Sequence, residues 1–95
     1  MQGEAAVHGA YDIGSPGAFN INGRDRMADG LTDTKLSEIN NVGYLAFTQQ
    51  LRDYSDYAQQ TGRRFDLYTR PVTILSGPLQ NAINSGRINR LDIPK

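Results

Sequence analysis

The sequence contains no cysteine, which excludes disulfide staples, zinc ribbons and thiol nucleophiles and leaves the redox compartment undetermined. It also has no apolar stretch approaching the roughly 20 residues that a helix needs to cross a bilayer. The first residues lack the basic segment and apolar run of an export signal. Met1 to Ala6 instead suits an internal helix of a longer protein, cut out and given an initiator Met. Histidine is scarce, with His8 as its single instance, so any metal must be held by oxygen ligands or by His8. A Ser/His/Asp triad would have to use that one imidazole without a nucleophile elbow. P-loop and dinucleotide fingerprints are absent too. His8 reads as a surface or interface residue, with a proton carrier as the sharper alternative.

Excess charge of either sign is missing as well: 10 Lys and Arg balance 10 Asp and Glu. That sum argues against a nucleic-acid partner, because phosphate binding needs clustered cations. The distribution says more. Residues 1–45 hold six acids against three bases, and residues 46–95 hold seven bases against four acids. An acidic half beside a basic half suits a cation site next to a phosphate track, although ordinary solvated surface charge gives the same count.

The 95 residues have room for one core and one site. We read them as a single domain: an N-terminal helix and loop over residues 1–23 and a core over residues 24–95. Residues 3–9 are Ala-rich and helical in propensity. Residues 14–23, rich in Gly, Pro, Ser and Asn, read as loop. A short strand over residues 24–28, the turn signal Asp29-Gly30 and an alternating run over residues 32–40 suggest a hairpin with Asp29 at its bend. Phe47, Leu51, Tyr54 and Ala58 recur at helical spacing and predict a helix over about residues 46–60, stopped by Thr61-Gly62. Residues 65–69 alternate as a strand ended by Arg70-Pro71. Ser76 with Pro78 marks the start of a second helix, which Gly86 closes. Residues 87–93 form a final strand with Ile88 and Leu91 in the core. A strand–helix–strand unit of this length implies a parallel crossover, so the class is α/β with a small mixed sheet flanked by helices.

Few residues are candidates for chemistry. Asp29 and Glu38 lie nine residues apart across the expected hairpin, a spacing that lets two carboxylates converge. Hard divalent cations take oxygen ligands of this kind and keep waters for substrate contact, and such an ion activates water against a phosphodiester. Two surface carboxylates capping a turn are the plainer reading. Gln50 and Tyr54, four apart, share one helix face. Tyr54 alone would be core, but a Gln beside it needs a partner such as a metal-bound water, a phosphate or a base. No interleaved aromatic and basic platform for single strands is evident, although Tyr44, Tyr54, Tyr57 and Tyr68 could stack on bases.

Five ordered blocks carry a resemblance. They are Arg26-Met-Ala-Asp29-Gly-Leu31, Leu36-Ser-Glu38-Ile39-Asn40-Asn-Val42, Thr48-Gln-Gln50-Leu-Arg52-Asp-Tyr54, Gly62-Arg63-Arg64-Phe65-Asp-Leu67-Tyr68-Thr-Arg70-Pro71 and Leu75-Ser-Gly-Pro78-Leu79-Gln80. Together they resemble the restriction-endonuclease-fold toxin domains, in particular restriction endonuclease fold toxin 7, found at the ends of polymorphic bacterial toxins of the Rhs and contact-dependent inhibition type. The resemblance implies a restriction-endonuclease-like PD-(D/E)xK core. Asp29, Glu38 and the backbone carbonyl of Ile39 would then ligate Mg²⁺ or Mn²⁺, and Gln50 and Tyr54 match a QxxxY element. Arg26, Arg52, Arg63, Arg64 and Arg70 become the candidates for nucleic-acid binding. It further implies a cognate immunity protein, and secretion within a larger toxin that acts in the target-cell cytoplasm.

Two departures stand out. The family's Pro before the Asp is Ala28, and its catalytic Lys is Asn40. A Lys there would stabilise the charge that develops on the phosphoryl group and orient the attacking water. Its loss predicts an impaired enzyme, either disabled by a Lys→Asn change or compensated by another cation such as Lys35 or Arg52. DNA is the favoured substrate and transfer RNA the alternative. The competing class is a non-enzymatic interaction module, distinguished by its lack of metal dependence.

Overall fold

A computed structural model describes residues 13–93. The expected N-terminal helix, with His8 in it, lies outside the described residues. The described chain runs β1 (Gly17–Ile21), β2 (Arg24–Ala28), β3 (Gly30–Leu31), β4 (Lys35–Asn40), β5 (Tyr44–Leu45), α1 (Gln49–Gln60), β6 (Arg64–Thr69), β7 (Ile74–Leu75), α2 (Gly77–Asn84) and β8 (Asn89–Asp92). The main sheet has the order β3-β4-β6-β8. β3 is antiparallel to β4, whereas β4, β6 and β8 are mutually parallel. This is the expected mixed α/β sheet, with α1 serving as the crossover between β4 and β6 and α2 as that between β6 and β8.

The first hairpin differs from expectation. Residues 17–21, within the stretch read as loop, form β1, and β2 pairs with β1 rather than with the next strand. The turn between them is Asn22-Gly23, with φ of 51° and 80°. Two successive positive φ angles suit a two-residue turn that follows strand twist, and Phe19 and Ile21 bury alternate side chains beneath it. Asp29-Gly30 is therefore not a hairpin bend. Asp29 sits where the chain leaves one sheet for the other, and the tip of the second hairpin is at Thr32, whose N–H donates to the Lys35 carbonyl at 2.9 Å. Gly30 is required for close approach: a Cβ there would collide with the Ile13 carbonyl oxygen and lie 2.9 Å from the Ile13 Cβ.

Capping fixes both helices. Thr48 Oγ1 accepts from the Leu51 N–H at 3.3 Å, which starts α1 three residues later than the periodicity suggests. The Ser76 hydroxyl does the same for Leu79 N–H at 3.3 Å, with Pro78 in the first turn. Gly62 and Gly86 end the helices at φ of 70° and 87°.

The central strands are buried on both faces, as parallel strands usually are. Leu36, Phe65 and Leu67 pack under Leu51, Tyr54, Ala58 and Leu79 of the helices. On the opposite face Ile39 and Tyr68 pack with Ile13 and Ile93, and Leu91 lies against them. Ile88 is buried as expected, but it precedes β8 rather than belonging to it.

Candidate active site at the carboxyl end of the central strands

The register of β3 on β4 pairs Gly30 with Ser37 and Leu31 with Leu36. One step further back, Asp29 stands opposite Glu38. Asp29 Oδ2 accepts from the Ile39 N–H at 2.8 Å, so this carboxylate closes the ladder where backbone pairing stops. Glu38 and Asn40, two residues apart on one strand, share the face that looks toward α1. Glu38 is only 8% exposed, and its Oε1 has no hydrogen-bond partner among the described residues. Burial, then the adjacent Asp29 carboxylate, pushes the Glu38 carboxyl up to about 9, so the metal-free site keeps a proton there at neutral pH. The buried Asn40 Nδ2 is likewise unpartnered among the described residues.

Tyr54 and Gln50 reach the same place from α1. The Tyr54 hydroxyl donates to the Met27 carbonyl at 2.9 Å and accepts from Gln50 Nε2 at 2.8 Å. Burial pushes this phenol up to about 12, so near neutral pH it remains a hydrogen-bonding hydroxyl. It fixes α1 to the end of β2, two residues before Asp29.

What holds α1 in register was not foreseen. Asp53, off the helix's apolar stripe, is fully buried. Arg24 grips it with two bonds of 2.7 Å, Arg26 adds a third at 2.9 Å and Gln49 a fourth at 2.9 Å. These hydrogen bonds, Arg24's first, hold the Asp53 carboxyl well below the usual carboxylate range. The signal available was the spacing of two between Arg24 and Arg26, which puts both on one face of a strand.

The expected phosphate-binding arginines are scattered. Arg26 is engaged by Asp53. Arg52 lies on another face of α1 from Gln50 and Tyr54, donates to the Phe47 carbonyl at 3.2 Å and stacks over the Phe47 ring at 4.5 Å. With Asn81 and Arg87 it lines a shallow cleft of about 350 Å³ between the helices, which none of the carboxylate-site residues enters. Arg64 pairs across the sheet with Lys35, and Thr69 pairs with Asn40. Arg63, Arg64 and Lys35 thus sit at the opposite end of the strands, about 16 Å from Asn40 at strand rise. Arg64 is bound by Asp66 at 2.7 and 2.9 Å, and Arg63 donates to the Thr32 carbonyl at 2.6 Å. Neither Lys35 nor Arg52 is placed to supply the charge that Asn40 lacks. Arg70 alone of the five is at the carboxylate end with its guanidinium unpaired among the described residues. Arg90, which the sequence did not single out, reaches the same end and donates to Thr69 Oγ1 and to the Arg70 carbonyl, each at 3.0 Å.

Among the described residues, no cluster of three or more Asp, Glu, His or Cys could hold a metal. The donor set present is two carboxylates, one with a buried oxygen lacking a partner. That fits a cation such as Mg²⁺, which takes one or two protein carboxylates and otherwise waters and substrate phosphates.

A family model described as restriction endonuclease fold toxin 7 matches residues 1–79. No curated protein and no solved structure matches the chain.

Proposed function

Because the chain belongs to the restriction endonuclease fold toxin 7 family, we propose that it is a metal-dependent endonuclease domain that hydrolyses phosphodiester bonds of target-cell DNA, strongly impaired in this form by Asn40. The observation that carries the reading is the opposition of Asp29 and Glu38 at a strand end, with one buried carboxyl oxygen left without a partner. Asp29, Glu38 and the Ile39 carbonyl would hold Mg²⁺ or Mn²⁺, which when bound polarises a phosphoryl oxygen and acidifies water.

The chain's own contributions follow from the geometry. Asp29 keeps one oxygen on the Ile39 N–H, and its carboxylate lies in hydrogen-bonding contact with the Glu38 carboxyl that would share the cation. Tyr54, held by Gln50 and Met27, keeps α1 against the site. Asn40 presents an N–H donor where a lysine would present a charge. A neutral amide still orients a phosphate oxygen or a water, but it cannot offset developing negative charge, and losing one such stabiliser costs on the order of 10²–10³-fold in rate.

In its biological setting we place the domain within a larger secreted toxin of interbacterial competition, acting in the target-cell cytoplasm. The producing cell then needs a cognate immunity protein bound over or beside the site.

The test compares this chain with Asn40→Lys on supercoiled plasmid and on total RNA, with Mg²⁺ and with chelator. Asn40→Lys should cut plasmid in a chelator-sensitive manner, and adding Asp29→Ala or Glu38→Ala should abolish cutting. A folded Asn40→Lys chain that cuts only transfer RNA moves the substrate to RNA. One that cuts neither polymer removes the nuclease reading in favour of a non-enzymatic module.

A further inference from the structure

Past the carboxylate site, the segments that leave β4 and β6 run together as the β5–β7 pair, in which Tyr44 is level with Ile74 and Leu45 with Leu75. Alternation sends Leu45 and Leu75 into the core and leaves Tyr44 and Ile74 on the outside, 60% and 66% exposed, with Val72 beside them at 77%. Thr73 Oγ1 donates to the Val42 carbonyl at 2.7 Å and the Ile74 N–H to the Gly43 carbonyl at 2.9 Å, so this face is rigidly built. Tyr44 follows Asn40 by four positions, at most about 14 Å of chain.

Arg70 completes the surface. It follows Thr69, the partner of Asn40, and one of its terminal nitrogens lies 3.5 Å from where a Cβ of Gly43 would be. Each of the other described arginines donates a side-chain hydrogen bond. Arg70 donates none among the described residues. The other candidate stacking rings are occupied: Tyr54 and Tyr68 are 1% exposed, and Tyr57 stacks on Phe19 at 4.0 Å.

We propose that Tyr44, Ile74 and Arg70 form a seat for an unpaired nucleotide of the DNA strand being cut, its base on the Tyr44 ring and its phosphate on the Arg70 guanidinium. The inference rests on the nuclease reading and names the form of DNA the site takes. An exposed aromatic face can reach a base only when that base is out of a duplex stack, and a free guanidinium beside it complements the phosphate. A protein partner would account for the apolar groups and leave the unpaired charge unexplained.

The test is fluorescence anisotropy of the intact chain, in chelator and low salt, with a labelled oligothymidine, a DNA duplex of equal length and a matched oligouridine. The unpaired DNA should bind tightest. Tyr44→Ala should weaken it about tenfold, the scale of one stacked base, and Tyr44→Phe should restore it. Arg70→Gln should weaken binding and reduce its salt dependence by about one phosphate contact. Both positions are exposed, and circular dichroism of each variant should match the parent. Tyr44→Ala binding as well as the parent, or tighter binding of the duplex or of oligouridine, overturns the seat while leaving the nuclease reading intact. No binding of any probe by the parent chain also overturns the seat, whereas the nuclease reading stands or falls on the cutting assay.

Discussion

Replacing Glu38 by glutamine should stabilise the metal-free protein, and the gain should depend on pH in a defined sense. The native carboxyl is pushed from 4.5 up to about 9, so between those values the folded chain holds a proton that the unfolded chain has released. A carboxyl raised in this way contributes fully below pH 4.5, and its contribution is lost as pH rises toward 9. At pH 7 the unfolded group has been driven 2.5 pH units past its value of 4.5, which at about 1.4 kcal/mol per unit costs the folded state on the order of 3 kcal/mol. Glutamine has no proton to take up. In urea unfolding with chelator present, the variant and parent should therefore coincide near pH 4.5, separate by up to about 3 kcal/mol at pH 7 and diverge further toward pH 9. The slope of the unfolding curve should not change between them. A gap that stays at zero from pH 5 to pH 9, or one that narrows as pH rises, would refute the argument that Glu38 is buried beside Asp29 without a compensating partner.

Other outcomes follow from the same geometry. Gly30→Ala should destabilise the fold by about 1–3 kcal/mol in urea melts, because its Cβ meets the Ile13 backbone; an unchanged midpoint would show that the segment at Ile13 yields freely. Asp53→Asn should remove part of the acid sensitivity of the parent, since a carboxyl held below its ordinary 3.8 stabilises above that pH and its contribution is lost as pH falls below it. Melting curves from pH 2 to pH 6 check this, with a parallel acid limb in both proteins as the contrary result. Lys35→Ala and Arg52→Ala, introduced singly into the Asn40→Lys chain, should leave its rate of plasmid cutting within about twofold, whereas a loss of the order expected for a catalytic cation would restore either residue to the site.

Local signals were readable in the sequence where one element decides its own outcome. Thr61-Gly62, Ser76 with Pro78, and the period of Leu51, Tyr54 and Ala58 placed both helices, because caps and amphipathic faces need no distant partner. The parallel crossover was readable for the same reason. Partner choice was not. Asn22-Gly23 carries a hairpin signal, but the Gly and Pro around it obscured β1, and Asp29-Gly30 looked like the stronger turn. Gly30 is there for the Ile13 backbone, a neighbour 17 positions earlier that no local pattern announces. Asp53 lies off the apolar stripe of its helix, and its burial depends on two arginines from β2 that the helical period does not reveal. At the site, the nine-residue spacing did bring Asp29 opposite Glu38, through β3 rather than through the strand before it. The basic residues were read by composition, which says nothing about which end of a sheet they occupy.

The Arg24–Asp53–Arg26 clamp has a consequence for how this scaffold can change. The buried Asp53 that anchors this clamp lies outside the candidate site, and position 40 takes no part in it. On the proposed nuclease reading, exchange of that residue for another polar one should change turnover while leaving these docking contacts in place. If that reading holds, catalysis and foldability are separable traits, and a silenced copy stays one substitution away from an active one.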